Sequence, residues 1–303
     1  MNSRYSPWIV CLLALAYLFG AVVAAALLAY PIHQWLDLNI SFPRLVNRLG
    51  LGLLIIGIIP AFKTAGLTWA DMGFPGRGSI FARQFSQGFL LGLAILGIVI
   101  LTVIALGVRN LLPDEVERSE RILKYLGGAL ATALGVSIVE ESLFRGLLFG
   151  ALTKYANARS ALPITAFFYA ELHFIGRRGE VAAEILHWTS GLELVPAALL
   201  QIFDPANLDS FLALFVVSLF LCAVRLETPL GIGYCIGLHT AWVFLLKLTK
   251  RYTALAPDSP WSFLVGTYDG VIGILVAFWL GLITIYYFYR IRKNQGLKHS
   301  TIE

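Results

Sequence analysis

Charge is what this sequence has least of. Of its 303 residues, 14% are Asp, Glu, Lys or Arg and 58% are hydrophobic. A soluble domain typically carries about 25% charged residues. The deficit, with a mean hydropathy of +0.77, excludes an ordinary soluble domain. Cysteine is scarcer still. Cys11, Cys222 and Cys235 each lie in an apolar run without a ligand spacing such as CxxC, and they read as small packing residues. There is no His-Glu-x-x-His run, no internal repeat and no low-complexity tract. No clean small-residue cleavage site follows the first apolar run, so a cleavable leader is not expected. The net charge of +5 is scattered between hydrophobic runs, which suits anionic lipid surfaces and not nucleic acid.

What the sequence has in quantity is long apolar runs. A membrane-spanning helix needs about 20 such residues. Spans are expected at about 8–30, 45–62, 85–108, 126–155, 161–175, 211–224, 230–248 and 267–289. The expected fold is an all-α integral membrane bundle of about eight transmembrane helices, one polytopic domain over 1–303, with an intramembrane polar cavity. Basic residues tie between the two sides of such an arrangement, and the basic tail tips both termini to the cytoplasmic side. Between the spans, Trp69 and Phe74 are expected as interfacial anchors around a Pro75-Gly76-Arg77-Gly78 turn. Glu117/Arg121 and Glu120/Lys124 have the i to i+4 spacing of a solvated helical turn. Val181, Ile185, Trp188 and Leu192 suit an amphipathic helix lying on the membrane or capping the bundle. Glycines 88, 92, 97, 231, 233 and 237 are expected to let helices approach closely.

Against this background the stretch Ser137-Ile138-Val139-Glu140-Glu141-Ser142-Leu143-Phe144-Arg145-Gly146 stands out. Each charge at a helix centre costs roughly 2.5–3.5 kcal/mol, so such residues usually face a protein interior or a wet cavity. Glu141 and Arg145 share a helix face and can neutralise each other, which makes them structural support. Glu140 is turned about 100° away by the helical period and lacks an arginine on its own helix. It is free to face a cavity. His173 and His239, each in another apolar run, can project into the same space. Glu171 lies on a different face from His173 and reads as pore-lining or interfacial; His33 and His187 read as surface residues.

A carboxylate and two imidazoles around a water form a hydrolytic arrangement. The same three side chains, Glu140, His173 and His239, could equally hold a divalent metal such as zinc with a water in an open position. The residues alone do not separate the two.

Glu140-Glu141-x-x-x-Arg145, then an aromatic residue with His173 four positions on, then His239 before the last spans, resembles the intramembrane CAAX protease and bacteriocin-processing family (CPBP, Rce1/ABI type). The resemblance covers a core of about 122–248, with a weaker likeness at Leu67-Thr68-Trp69-Ala70-Asp71-Met72-Gly73-Phe74. It implies a CAAX-type intramembrane protease acting on a peptide or lipid-modified protein among membrane lipids. Substrates would be prenylated C-termini or membrane-anchored leader or tail peptides. By the resemblance Glu140 activates water, His173 orients it, and His239 stabilises the oxyanion. Tyr169 stands where the family usually shows phenylalanine. Val243 stands where the family usually shows a hydrogen-bonding asparagine, and Trp242 or Thr240 are the candidates to donate in its place. Two other functions remain in view. One is a non-proteolytic member that binds peptides, confers immunity or assists secretion, which Val243 favours. The other is a proton-coupled transporter relaying through Glu140, Glu171 and the histidines, which the lack of an inverted repeat disfavours.

Overall fold

The computed structural model describes residues 7–36, 40–112, 122–174, 186–200, 204–227 and 231–300. The described chain is nearly all helical. Helix α1 covers Pro7–Leu36, α2 Phe42–Thr64 and α3 Gly78–Ala105. Helix α4 (Ile122–Glu141) runs through a π-helical segment (Ser142–Leu148) into α5 (Phe149–Tyr155). Then come α6 (Ala158–Leu172), α7 (Ser190–Leu200), α8 (Leu208–Glu227), α9 (Ile232–Tyr252) and α10 (Ile274–Ser300). A two-stranded ribbon departs from the all-α expectation. Strand β1 (Arg109–Leu111) pairs antiparallel with β2 (Thr253–Leu255), Arg109 opposite Leu255.

Among the described residues six helical stretches are long and apolar enough to cross a membrane, including 122–155 as one piece of 34 residues. The expected spans at 161–175 and 267–289 fall short, for local reasons. Helix α6 starts only at Ala158, where the Asn157 side chain accepts from the Ser160 amide at 2.9 Å, and it ends at Leu172. Residues 267–273 form a turn instead of a helix. Asp269 Oδ1 accepts from the amides of Val271 (2.9 Å) and Ile272 (2.7 Å), and Gly270 sits at φ +73°. The apolar part of α10 is therefore confined to Ile274–Arg290. The charged lead-in at 113–121 and the first half of the expected amphipathic helix, Val181 and Ile185, lie outside the described residues. Trp188 is in a turn against the Tyr30 ring, and helix resumes only at Ser190.

Glycine sets how the helices meet. A Cβ at Gly88 would lie 2.2 Å from the Tyr234 carbonyl oxygen, and one at Gly237 would lie 2.2 Å from that of Phe85. A Cβ at Gly92 would stand 2.8 Å from Leu238 O. Helices α3 and α9 thus touch backbone to backbone, as small residues permit in membranes. Gly97 has nothing within 4 Å and plays no such part.

The loop 67–74 is held as a unit. Thr68 and Asp71 bond reciprocally, Thr68 N to Asp71 Oδ2 at 2.7 Å and Asp71 N to Thr68 Oγ1 at 3.1 Å. Lys154 reaches Asp71 Oδ2 (2.8 Å) and Gly66 O (2.9 Å), tying the loop to α5, and Arg225 Nη2 donates to Asp71 O at 3.1 Å. Burial alone would raise the Asp71 carboxyl, but the hydrogen bonds from Lys154 and Thr68 outweigh it and hold the group below the usual carboxylate range. Met72 is buried and packs on Gly146 of the π segment. Trp69 is exposed, with its ring tilted against Phe62 and edge-on to Phe74, in keeping with an interfacial position.

The α3–α9 contact yields a direct test. Gly237→Val forces side-chain atoms into the Phe85 main chain and is expected to cost about 1–3 kcal/mol, read as a lower melting temperature in detergent. Gly97→Val, at the open position on α3, should leave the melting temperature close to that of the parent.

Candidate active site

The charged stretch sits where α4 gives way to the π segment. Glu140 and Glu141 occupy the last α-helical turn, and Arg145 lies one turn on within the wider coil. Single π-helical turns inside α-helices recur at functional sites. Glu141 and Arg145 are fully buried. Arg145 Nη1 donates to Glu141 Oε1 at 3.1 Å, and Arg145 Nη2 donates to Ser218 Oγ of α8 at 3.0 Å. The guanidinium also lies over the Tyr169 ring, 4.3 Å from its centroid. Glu141 has a second partner that the helical pattern did not reveal. The same Oε1 stands 2.8 Å from His239 Nδ1 of α9. A carboxylate only accepts, so His239 Nδ1 carries the proton and Nε2 is turned to the other side.

That other side is a cavity of about 270 Å³. Glu140, Tyr169, His173, His239, Trp242 and Val243 line it, together with apolar residues of α3, α8 and α10. The structure therefore brings Glu140, His173 and His239 into one space. Glu140 Oε2 is 3.7 Å from His173 Nε2 and 3.8 Å from His239 Nε2. Both distances are beyond direct hydrogen bonding. Oε2 is buried and has no hydrogen-bond partner among the described residues. His173 is oriented by its own helix. Its Nδ1 lies 2.7 Å from the Tyr169 carbonyl, which can only accept, so here too Nε2 carries the lone pair and faces the carboxylate. The Tyr169 ring packs on the His173 ring with centroids 4.4 Å apart. Tyr169 thus serves both sides of the site, holding Arg145 with its face and His173 with its main chain.

The remaining candidates separate. Thr240 is buried, donates to Ile236 O at 2.7 Å and does not line the cavity. Trp242 does line it, and its indole nitrogen is buried without a partner among the described residues. Val243 presents only hydrocarbon to the wall. Glu171 is buried at 7% exposure and lies outside the cavity lining. His187 is exposed, as a surface histidine should be, with Nε2 3.5 Å from Glu193; His33 is half-buried against the Phe42 ring.

Three contributions to the wall were not recognised in the sequence. Lys247 and Lys250 extend the α9 face beyond Val243, and the turn 267–273 brings in Tyr268 and Asp269. The turn is fixed from behind by the ribbon. Arg109 is buried and donates to Thr253 Oγ1 (2.6 Å), Thr253 O (3.0 Å) and Gly270 O (3.0 Å). Burial draws the Arg109 guanidinium somewhat below its ordinary value, against the pull of Asp269. The lysines have a legible spacing, at i+8 and i+11 from His239. Asp269 has none, because only the fold carries it to the site.

Residues 122–245 match the family model described as type II CAAX prenyl endopeptidase Rce1-like. The segment is Rce1-like. It contains Glu140, Glu141, Arg145, His173 and His239, and it coincides closely with the core 122–248 that carries the sequence resemblance. No curated protein and no solved structure matches the chain. Together the Rce1-like segment and the apolar helices make this an integral multi-pass membrane protein. Among the described residues no group of three or more His, Cys, Asp or Glu side chains is drawn together as a metal centre would be, so a zinc site at Glu140, His173 and His239 gains no support. The metalloprotease-like variant is left without an observation in its favour.

The buried ion pair sets the stability of the site. Arg145→Met leaves the Glu141 charge buried with His239 as its only nearby donor among the described residues. Breaking a buried pair from one side costs about 3–5 kcal/mol. The expected outcome is a sharp loss of folded protein in size-exclusion chromatography, which Arg145→Lys should partly restore.

Proposed function

We propose that this protein is a CAAX-type intramembrane endopeptidase in which Glu140 activates a water. The observation that carries the reading is the pair of 3.7 and 3.8 Å gaps between Glu140 Oε2 and the two imidazole Nε2 atoms. Polar atoms at such separations are commonly bridged by water. All three facing atoms are acceptors in the neutral tautomers, and a water supplies donors to two of them.

The chemistry follows from these positions. The water donates one hydrogen to Glu140 and one to His173 Nε2, leaving its lone pairs to attack a peptide carbonyl. Glu140 takes the proton as the new C–O bond forms, and returns it to the amide nitrogen as the C–N bond breaks. Charge develops on the carbonyl oxygen during attack. His239 Nε2, when it carries a proton, donates to that oxygen while Glu141 stabilises the imidazolium, in the manner of a carboxylate behind a catalytic histidine. The Trp242 indole N–H is the further donor available on the wall, and it stands in for the group that Val243 cannot supply. Thr240 is already committed to Ile236.

The substrates proposed are prenylated C-termini or membrane-anchored leader or tail peptides, which reach the cavity as extended chain. The whole chain acts as one polytopic domain. Its arrangement is about eight crossings, with α6 and α10 as short ones and both termini cytoplasmic. The relay reading as a transporter has no observation in its favour.

Cleavage of a prenylated peptide by the full-length protein in liposomes tests the mechanism. Glu140→Gln and His173→Ala should each lower the rate by about 10²–10⁴, and Trp242→Phe by about 10²–10³. Parent-like cleavage by both Glu140→Gln and His173→Ala would overturn the mechanism. Cleavage that appears only in Val243→Asn would assign the parent to peptide binding instead.

A further inference from the structure

A second cavity lies apart from the site. It holds about 780 Å³ between α1, α2 and the π segment with α5. It shares no lining residue with the cavity at Glu140. Its wall is almost wholly hydrocarbon, and the few hydroxyl protons on it are already committed. Tyr17 donates to Leu54 O, Tyr155 to Ala65 O and Thr64 to Ala61 O. An apolar cavity takes an apolar guest, not water. An irregular peptide segment is excluded too, because its main-chain groups would find no partners there. Beside the cavity, α1 and α2 leave Leu12, Leu15, Ile56 and Ile59 exposed. In a membrane these faces meet lipid hydrocarbon, so the space between the two helices is filled from the bilayer.

The dimensions select the guest. The lining runs from Ile9 to Leu18 on α1, a rise of about 14 Å, and from Gly57 to Ala65 on α2, about 12 Å. One leaflet supplies half of a hydrocarbon core about 30 Å thick. Spread over that 14 Å, the volume gives a mean cross-section of roughly 56 Å². A helix about 10 Å across needs roughly 80 Å². Another transmembrane helix therefore does not fit, whereas slender tails one leaflet long do. The start of α1, the end of α2 and the end of α5 lie at one end of the cavity, where Tyr155 bonds Ala65. Lys63 is exposed in the last turn of α2, at that same end. We propose that this groove binds a bilayer phospholipid, with its tails between α1, α2 and the π segment and its phosphate towards Lys63. Phe144 lines the groove and meets the Tyr169 ring edge-on, with centroids 5.1 Å apart. Tyr169 in turn holds Arg145 and His173. The tails supply the packing behind that aromatic pair, where a void would forfeit contacts. The lipid binds whether or not the protein is an endopeptidase.

The test uses the full-length protein in nanodiscs of phosphatidylcholine, a trace of which carries a photoactivatable diazirine in its tail. After irradiation, mass spectrometry locates the labelled residues. In the parent, label should concentrate on the groove side of α1, α2 and the π segment, well above the level on the outer face around Ile56. Ala61→Trp fills the groove and should lower the groove label roughly tenfold, the effect of about 1.4 kcal/mol. Ala14→Phe, from the opposite wall, should lower it as well, and it replaces Ala61→Trp if that variant does not fold. Ile56→Trp, on the outer face, should leave the groove label unchanged. Label spread evenly over all the exposed apolar residues of the parent would overturn the proposal, as would groove label that survives both filling variants. A free isoprenoid alcohol identifies the source of the guest. If it removes the groove label while the label around Ile56 persists, the groove belongs to an isoprenoid and the phospholipid proposal fails. Glu140→Gln should label like the parent, so loss of cleavage leaves this readout untouched.

Discussion

A carboxylate taken out of water is stable only where positive charge and hydrogen bonds replace the solvent it has lost. Glu141 is such a carboxylate, and one of its oxygens meets both requirements at once. It accepts from Arg145 of its own helix and from His239 of α9. Through Arg145 the same charge is linked to Ser218 of α8 and to the Tyr169 ring of α6. Helices α4, α6, α8 and α9 are thus referred to a single buried anion. The pose of His239, and with it the geometry opposite Glu140, follows from the demands of that anion. Support and chemistry are not separate layers here, because the residue that neutralises the helix is also the one that fixes which nitrogen of His239 faces the cavity.

The parts of the fold that depend on one helix at a time were legible in the sequence. Apolar runs located the long helices to within about seven residues at each end, and the i to i+4 spacing gave the Glu141–Arg145 pair. Glycines at 88, 92 and 237 read as points of close approach, and they are. What pattern reasoning could not reach was whatever depends on a second element. A helical wheel drawn for α4 sees Arg145 but not His239, so Glu141 looked self-contained. Residues 267–273 read as the start of a span because Val271, Ile272 and the neighbouring glycines are apolar enough to average as one. In the structure Asp269 caps two amides there, and the segment turns. The β1–β2 ribbon joins residues more than a hundred positions apart, and three-residue strands carry no usable period. The candidate site was legible in its residue types and order, which is where the family match falls. Its far wall, made by Lys247, Lys250 and the turn at 267–273, was not.

This division has a physical counterpart in how the cavity is built. Glu140 and His239 come from within long helical stretches and His173 from the C-terminal cap of α6, all held by buried polar contacts and main-chain packing. The opposite end comes from a turn that Arg109 ties to strand β2, donating once to Gly270 O and twice to Thr253. One end is thereby set by the bundle and the other by a connection between helices. Connections tolerate sequence change more readily than packed elements do. The sequence at that end of the cavity can therefore change while Glu140, His173 and His239 stay where the bundle puts them.

The contact between α3 and α9 bears on this in a way that concerns neither charge nor chemistry. Where Gly88 meets Tyr234 and Gly237 meets Phe85, the two helices rest main chain on main chain. Side chains change rotamer and swap size; carbonyl oxygens and amide planes do neither. The height at which α9 presents His239 is accordingly indexed by atoms common to every amino acid. Residues on the outer faces of both helices can be replaced to suit a thicker or thinner bilayer, or a different lipid, and the register of the cavity wall stays where the glycines put it.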